Sequence, residues 1–207
     1  RPGPSQLFRR PLESAGYLFD QYFSALTLAI AILSLSTVFL LFPFLALVAG
    51  DIVSKESEDG NLRLILSRPV SRPRLLLSKF FACQLYTSTL ILVLGALSFG
   101  AGAMLARWDG GLFVMVPPKG IFGVFDFETG LIRYGIGVGL LILSMSTVSS
   151  VAFLFSCQRM KPAAATILTL CLFFIDRIMW DVPYFADYRN WFLAPHLLVW
   201  VEAFAER

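Results

Sequence analysis

Four long apolar segments constrain the fold of this chain more than any other feature of its sequence. The first is almost uninterrupted and reads YFSALTLAIAILSLSTVFLLFPFLALVAG. The hydrocarbon core of a bilayer is about 30 Å thick, so a helix needs about 20 apolar residues to cross it. Segments that meet this requirement cover residues 22–50, 75–105, 134–156 and 163–180. The pattern predicts an all-α integral membrane protein, a polytopic helical bundle with four transmembrane helices.

Composition and charge support a membrane environment. The chain is 57% hydrophobic and 15% charged, whereas soluble domains have roughly 45–50% apolar and about 25% charged residues. A net charge of +3 is too small to indicate nucleic acid binding, so the expected surroundings are the lipid bilayer. Cys83, Cys157 and Cys171 lie in or beside apolar runs without metal-ligand spacing, and we expect them to act as small hydrophobic residues.

The placement of Lys and Arg predicts the orientation. Basic residues concentrate between the first two spans, in residues 51–74 and on to Lys79, and again in the turn 157–162. By the positive-inside rule these two connections are cytoplasmic, and the loop 106–133 is outside. The flanking segments 1–21 and 181–207 would then lie along the outer interface, the second because it is rich in aromatic residues.

The connection 51–74, named here the charged connection, begins with acidic residues and continues with basic ones. Leu62, Ile65 and Leu66 recur on one face of a predicted short amphipathic helix, which Arg68 ends because it precedes a proline. Two interpretations remain open on the residues alone. The connection either binds lipid phosphates or docks a cytoplasmic partner on the apolar face of that helix.

An ordered motif runs through the charged connection. Two acids, a glycine and a leucine alternate with other residues, then Pro-Val-Ser-Arg follows, and a lysine opens the next span: Glu56, Glu58, Gly60, Leu62, residues 69–72 and Lys79. With the approach PFLALVAGDIVSKE, this motif resembles the coupling region of ABC-2-type ABC transporter permeases. The likeness is greatest to the branch that includes copper-enzyme-maturation, sodium and drug efflux permeases. Asn61 stands where that family commonly has Thr, and both are short polar residues.

The resemblance implies a non-catalytic permease subunit of an ABC transporter, with residues 1–207 forming one permease domain. A separate cytoplasmic ABC ATPase would bind ATP and Mg and drive export, and this chain would hold no cofactor. It also implies a second permease subunit, in a homo- or heterodimer, and a bacterial or archaeal inner or plasma membrane. The family has six spans, so we expect this chain to lack a first and a last one. No GxxxxGK[ST] motif is present, as expected of a subunit that needs a separate motor.

The same resemblance implies which residues couple to the ATPase. Apolar side chains would seat in a groove of the ATPase, charged ones would form pairs around its rim, and a glycine would permit close backbone approach. These are Leu62, Ile65 and Leu66; Glu56, Glu58, Arg63, Arg68 and Arg72; and Gly60.

Two further features lie in the spans. Arg177 and Asp181 are four residues apart at the end of the fourth span, where we expect a structural ion pair rather than a substrate or ion site. The run SMSTVSS, residues 144–150, indicates close helix packing, with a polar pathway as the second interpretation. Asp176 and His196 receive no role from the sequence.

The strongest alternative function is a membrane anchor or assembly protein that docks an ATPase for mechanical or maturation work without transport. An intramembrane enzyme is a weaker alternative, because no convergent catalytic set of polar residues is visible. The transported substrate does not follow from the sequence.

Overall fold

The four predicted spans are helical. A computed structural model describes residues 24–59, 71–106, 112–116, 121–158 and 160–204. Helices long and apolar enough to cross a membrane are Ala25–Glu58, Arg72–Leu105 (α3), Phe127–Ser156 (α4) and Pro162–Asp181 (α5). The predicted all-α polytopic membrane class is confirmed.

The first span contains a π-helical turn, Thr37–Leu41, between α1 (Ala25–Ser36) and α2 (Phe42–Glu58). Its signature is the Phe42 N–H, which donates to the carbonyl oxygen of Thr37. Pro43 follows directly and has no N–H to give to a carbonyl one turn back, and its ring would crowd that carbonyl. A wider turn before the proline relieves this conflict while the helix continues.

The helix ends differ from the sequence-based boundaries. The first span runs on to Glu58, so the first eight residues of the charged connection are helical. Its 34 residues correspond to about 51 Å, well beyond the thickness of the hydrocarbon core. The third span begins at Phe127, seven residues before the predicted Tyr134. The predicted amphipathic helix from Gly60 to Arg68 lies outside the described residues.

A β-hairpin occupies the segment predicted as an outer loop. Strands β1 (Leu112–Val116) and β2 (Ile121–Phe125) pair antiparallel, with Leu112 opposite Phe125. The Phe113 N–H donates to Thr27 Oγ1 at 2.9 Å. The hairpin is an addition to the predicted all-helical pattern, and it is fixed to α1 by this bond.

After α5 the chain forms short helical pieces. They are a 3₁₀ segment, Pro183–Trp191, then α6 (Leu193–Leu197) and α7 (Val199–Glu202). The sequence in this part is too interrupted for a fifth span, and these pieces are each shorter than one.

The contacts group the chain into two compact units. Among the described residues, the first comprises those in the ranges 24–35, 93–138 and 201–204. Its centre includes Leu26 and Leu112, both fully buried, and the Tyr134 hydroxyl donates to the Gly95 carbonyl oxygen at 2.8 Å. A buried phenol is satisfied there by a helix carbonyl.

The second unit comprises residues 36–92 and 139–200. Its core brings α2, α3 and α4 together through small and aromatic side chains, namely Ala49, Val53, Cys83, Ala152 and Phe153. Phe80 of α3 meets Phe153 of α4 edge to face, with ring centroids 5.5 Å apart. The small residues allow the helices to approach closely, as is typical of membrane bundles.

Two glycines on α3 give a matched test of close packing in the first unit. A Cβ at Gly102 would overlap the carbonyl oxygen of Ala25, whereas a Cβ at Gly100 would meet nothing within 4 Å. We expect Gly102→Ala to destabilise the protein by about 1–3 kcal/mol, because backbone cannot move aside. Gly100→Ala should be neutral or slightly stabilising, since alanine is the better helix former.

The measurement is the midpoint of thermal unfolding of each purified variant in detergent. Equal midpoints for the two variants would contradict the close α1–α3 contact.

Candidate functional site

An ion pair joins the helices on either side of the charged connection. Lys79 Nζ of α3 lies 2.5 Å from Glu56 Oε2 of α2, as an ion pair rather than a well-angled hydrogen bond. The same ammonium donates to the Ile52 carbonyl oxygen at 3.1 Å. Ile52 and Glu56 are four residues apart, so both face α3 from one side of α2. The last two turns of α2 are thereby tied to the beginning of α3.

The pair is partly shielded from solvent. The side chain of Lys79 is 14% exposed and that of Glu56 is 35% exposed. A charge with so little access to water depends on its partner, because removal of that partner leaves it poorly solvated. The Ile52 carbonyl accepts a hydrogen bond from the same ammonium, so the lysine is held at two points.

The last residue of α4 contacts the backbone of α2. Ser156 Oγ accepts from the Val53 N–H at 3.0 Å and from the Ser54 N–H at 3.1 Å. The Ser54 hydroxyl in turn donates to the Gly50 carbonyl oxygen at 2.6 Å. A side chain reaches helix backbone in this way only where the two helices are very close, which the small Ala152 on α4 permits.

Helix α5 also lies close against α2. A Cβ at Gly50 would come within 2.8 Å of Thr166 Oγ1 and 3.2 Å of the Thr166 backbone nitrogen, so glycine is needed at this crossing. Phe42 and Phe173 add an edge-to-face contact with centroids 5.2 Å apart. Helix α2 therefore contacts each of the other three spans within the second unit.

Polar side chains join α3 to α4 further from the helix ends. Ser149 Oγ lies 3.1 Å from Cys83 Sγ and accepts from Thr87 Oγ1 at 3.1 Å. Gln84 Nε2 donates to Ser150 Oγ at 3.0 Å. These contacts favour the first of the two interpretations of residues 144–150, which is helix packing.

The predicted coupling residues fall into two groups. Glu56 takes part in the ion pair, and Glu58 and Arg72 are exposed at the facing ends of α2 and α3. The others lie outside the described residues, and their roles stay predictions: Gly60, Leu62, Arg63, Ile65, Leu66 and Arg68.

The predicted pair at the end of the fourth span is in contact. Arg177 Nη1 lies 2.8 Å from Asp181 Oδ1, with side-chain exposures of 42% and 62%. The guanidinium also lies over the Trp180 ring, 4.7 Å from its centroid. An ion pair this exposed adds little stability, and its place at a membrane boundary stays a prediction.

Asp176, which has no role from the sequence, caps the short helix α6. Its Oδ1 accepts from the Leu193 N–H at 3.0 Å and its Oδ2 from the Ala194 N–H at 2.6 Å. The first N–H groups of a helix have no partner within it, and a carboxylate satisfies them well. The signal in the sequence is an acid inside an apolar span, but its partners are 17 and 18 residues away.

Sequence reasoning named Lys79 as a motif position without predicting its partners, and it missed Ser156. Lys79 was available as a motif position and as a lone charge inside the second span, which is a recognisable signal. Ser156 gave no comparable signal, because a serine at a helix end is ordinary and its contact depends on the packing of α2 against α4.

The fold defines a polytopic α-helical membrane protein. Its charged connection joins α2 and α3, which the contacts of Lys79 with Glu56 and Ile52 hold together. The family model described as ABC-2 family transporter protein matches residues 10–186. The chain therefore belongs to the ABC-2 transporter family and is a permease subunit of an ABC transporter. Members of the family are generally non-catalytic, and membership implies association with an ABC ATPase and often with a second permease. Searches of curated proteins and of solved structures returned no match.

The ion pair can be tested by charge reversal. Lys79→Glu places two carboxylates together and loses the bond to the Ile52 carbonyl, so we expect a loss of about 1–3 kcal/mol in stability. The swap Glu56→Lys with Lys79→Glu should recover only part, because glutamate cannot donate to that carbonyl.

Thermal unfolding in detergent measures both effects. The matched control is Glu58→Lys, a charge reversal of the same size and opposite sign on an exposed side chain two residues after Glu56 in α2. A loss for Lys79→Glu no larger than for Glu58→Lys, or full recovery in the swap, would contradict the two-point attachment of Lys79.

The pKa of Cys157, the residue directly after α4, depends on the charge of Lys79. Partial desolvation raises the pKa of the Cys157 thiol, and the Lys79 ammonium lowers it in part. The thiolate is the reactive form, so removal of the ammonium should raise the pKa further and slow alkylation at a given pH. We expect Lys79→Met to move the pH profile of alkylation by a polar maleimide to higher pH.

The profile is measured in a variant without Cys83 and Cys171. Lys55→Met, on an exposed residue of α2, is the matched control and should leave the profile in place. A profile that does not move, or that moves to lower pH, in Lys79→Met would rule out this proximity.

Proposed function

We propose that the chain couples ATP hydrolysis by a separate cytoplasmic ABC ATPase to export of a substrate, and that the charged connection is the point of coupling. The observation that carries the proposal is the Glu56–Lys79 ion pair together with the bond from Lys79 to the Ile52 carbonyl. These contacts tie the two helices that flank the charged connection.

The contacts between α2 and α3 would let force on the charged connection reach the spans. A partner that pushes on the charged connection moves α2 and α3 together, because they cannot separate without breaking a shielded ion pair. The contacts of Ser156 and Thr166 with α2 then pass the displacement to α4 and α5. With loosely joined helices, local bending of the connection would absorb the push instead.

The partner contacts follow the family resemblance. Leu62, Ile65 and Leu66 seat in the ATPase groove, and Gly60 admits the close backbone approach. Glu58 and Arg72 are exposed where the connection leaves the two helices, and with Arg63 and Arg68 they pair with charges at the groove rim. The proposed contacts with the ATPase are therefore those that the resemblance implies, without Glu56. Its carboxylate pairs with Lys79 of the same chain instead.

The wider assembly belongs to the same proposal. Two permeases, identical or different, pair in a bacterial or archaeal plasma membrane with the charged connection on the cytoplasmic side. ATP and Mg²⁺ bind to the ATPase, and this chain holds no cofactor and catalyses no reaction. Nucleotide-driven closure of the ATPases alternates access to a path between the permeases.

Cysteine crosslinking in the full-length protein with its candidate ATPase tests the coupling. Single cysteines replace Leu62 or Ile65 in a background without Cys83, Cys157 and Cys171. We expect crosslinks to the ATPase whose yield changes with bound nucleotide. A cysteine in place of Tyr184, exposed in the 3₁₀ segment, is the control and should not crosslink.

The results separate the functions in question. Free labelling at both positions without a crosslink under any nucleotide condition would overturn the coupling proposal and leave a lipid-facing loop. Nucleotide-sensitive crosslinks without net movement of any candidate substrate in vesicles would indicate the alternative, a membrane anchor for an ATPase with mechanical or maturation work.

A further inference from the structure

The segment after α5 exposes three large amphipathic side chains. Tyr184 is 84% exposed, Tyr188 62% and Trp191 87%. We name these three residues the aromatic ledge. Aromatic rings of this size seldom stand in open water, because each carries a large apolar surface. Their exposure indicates a surface that something outside the described residues covers.

The ledge is braced from beneath by perpendicular ring contacts. Phe185 meets Tyr184 edge to face, with centroids 5.1 Å apart, and meets Phe192 in the same way at 6.2 Å. The next two residues, Leu193 and Ala194, donate their N–H groups to the carboxylate of Asp176 on α5. The ledge is therefore held against the end of the fourth span.

The surface leading to the ledge identifies what covers it. Phe174 and Ile178 are exposed four residues apart along one side of α5, at 60% and 63%, and Val182, directly after the helix, is 37% exposed. In a membrane-spanning helix this apolar stripe faces the acyl chains of lipids. Past the end of α5, the apolar side chains of this stripe are followed by Tyr184, Tyr188 and Trp191. That order matches the passage from acyl chains to headgroups, where such rings bury a face and keep a polar atom wet.

We infer that the aromatic ledge inserts into the headgroup–acyl boundary of the bilayer, and that Asp176 is the positioning residue that fixes it at that depth relative to α5. The occupant is the lipid interface itself. The inference depends on membership in a membrane-spanning family and not on coupling to an ATPase.

Spin labels test the depth of the ledge in the full-length protein. Single cysteines replace Tyr188 or Trp191, one at a time so that two aromatic residues remain, in a background without native cysteines. The protein is placed in vesicles of phosphatidylcholine and phosphatidylglycerol. Power saturation then compares collisions with oxygen, which enriches in the bilayer, and with a water-soluble nickel chelate.

We expect the ratio of oxygen to nickel accessibility at both positions to be several-fold above that at Arg72, an exposed residue at the start of α3. It should lie below the ratio at Ile178. Nickel accessibility equal to that at Arg72 would place the ledge in water. An immobile, broadened spectrum that sharpens on dilution with unlabelled protein would show a second copy as the occupant. Either result overturns the inference.

The role of Asp176 has its own readout. Asp176→Ala removes both acceptors of the α6 N–H groups, so the label at position 191 should become more mobile and vary in depth. The label at Ile178, within α5, should not change. Asp176→Asn keeps one acceptor, should give an intermediate effect and covers the case in which the alanine variant fails to fold.

Asp181→Ala is the matched control, because it removes a carboxylate of α5 that is 62% exposed and paired with Arg177. An Asp176→Ala spectrum at position 191 no different from that of Asp181→Ala would remove Asp176 from this role.

Discussion

The close approach of α2 to its neighbours is the constraint on which the second unit depends. Ala49 and Gly50 present almost no side chain, so backbone itself becomes the contact surface. That is why a hydroxyl from α4 can reach two N–H groups of α2 and why Thr166 of α5 lies against a glycine. Inside a bilayer, helices gain little from the hydrophobic effect, and close packing with a few hydrogen bonds replaces it.

The ion pair at the end of α2 has a different purpose from stability. Shielded pairs cost desolvation energy, and apolar substitutes of similar size are often as stable. Lys79 contributes specificity instead, because its ammonium is satisfied only where a carboxylate and a helix carbonyl are both within reach. The pair therefore selects one register between α2 and α3. Under the coupling proposal, a fixed register between α2 and α3 lets a partner move the two helices together.

The spans were predictable because apolar length in a bilayer leaves helices as the solution for residues such as 22–50. The ends of the spans were less predictable. The helix continues through the polar residues after Gly50, and hydropathy does not indicate where a helix ends outside the hydrocarbon core. A proline such as Pro43 inside a span indicates a distorted helix, but it does not indicate that the distortion is a π-helical turn. The family was recognisable from the charged connection. The partners of Ser156 and Asp176 were not, because they depend on tertiary contacts far apart in sequence.

Helix α5 links the two proposals, because its contact with α2 at Thr166 and its contact with α6 at Asp176 both lie within the second unit. Thr166 meets α2 near one end, and Asp176 holds the aromatic ledge ten residues, or about 15 Å, along the helix. Movement of the ledge along the membrane normal would place phenol and indole groups in acyl chains or whole rings in water, and both are unfavourable. A push delivered through α2 at Gly50 therefore meets resistance to sliding at the far end. Under the two proposals together, the motion left to α5 is a tilt about the ledge, the kind of displacement that the proposed alternation of access requires.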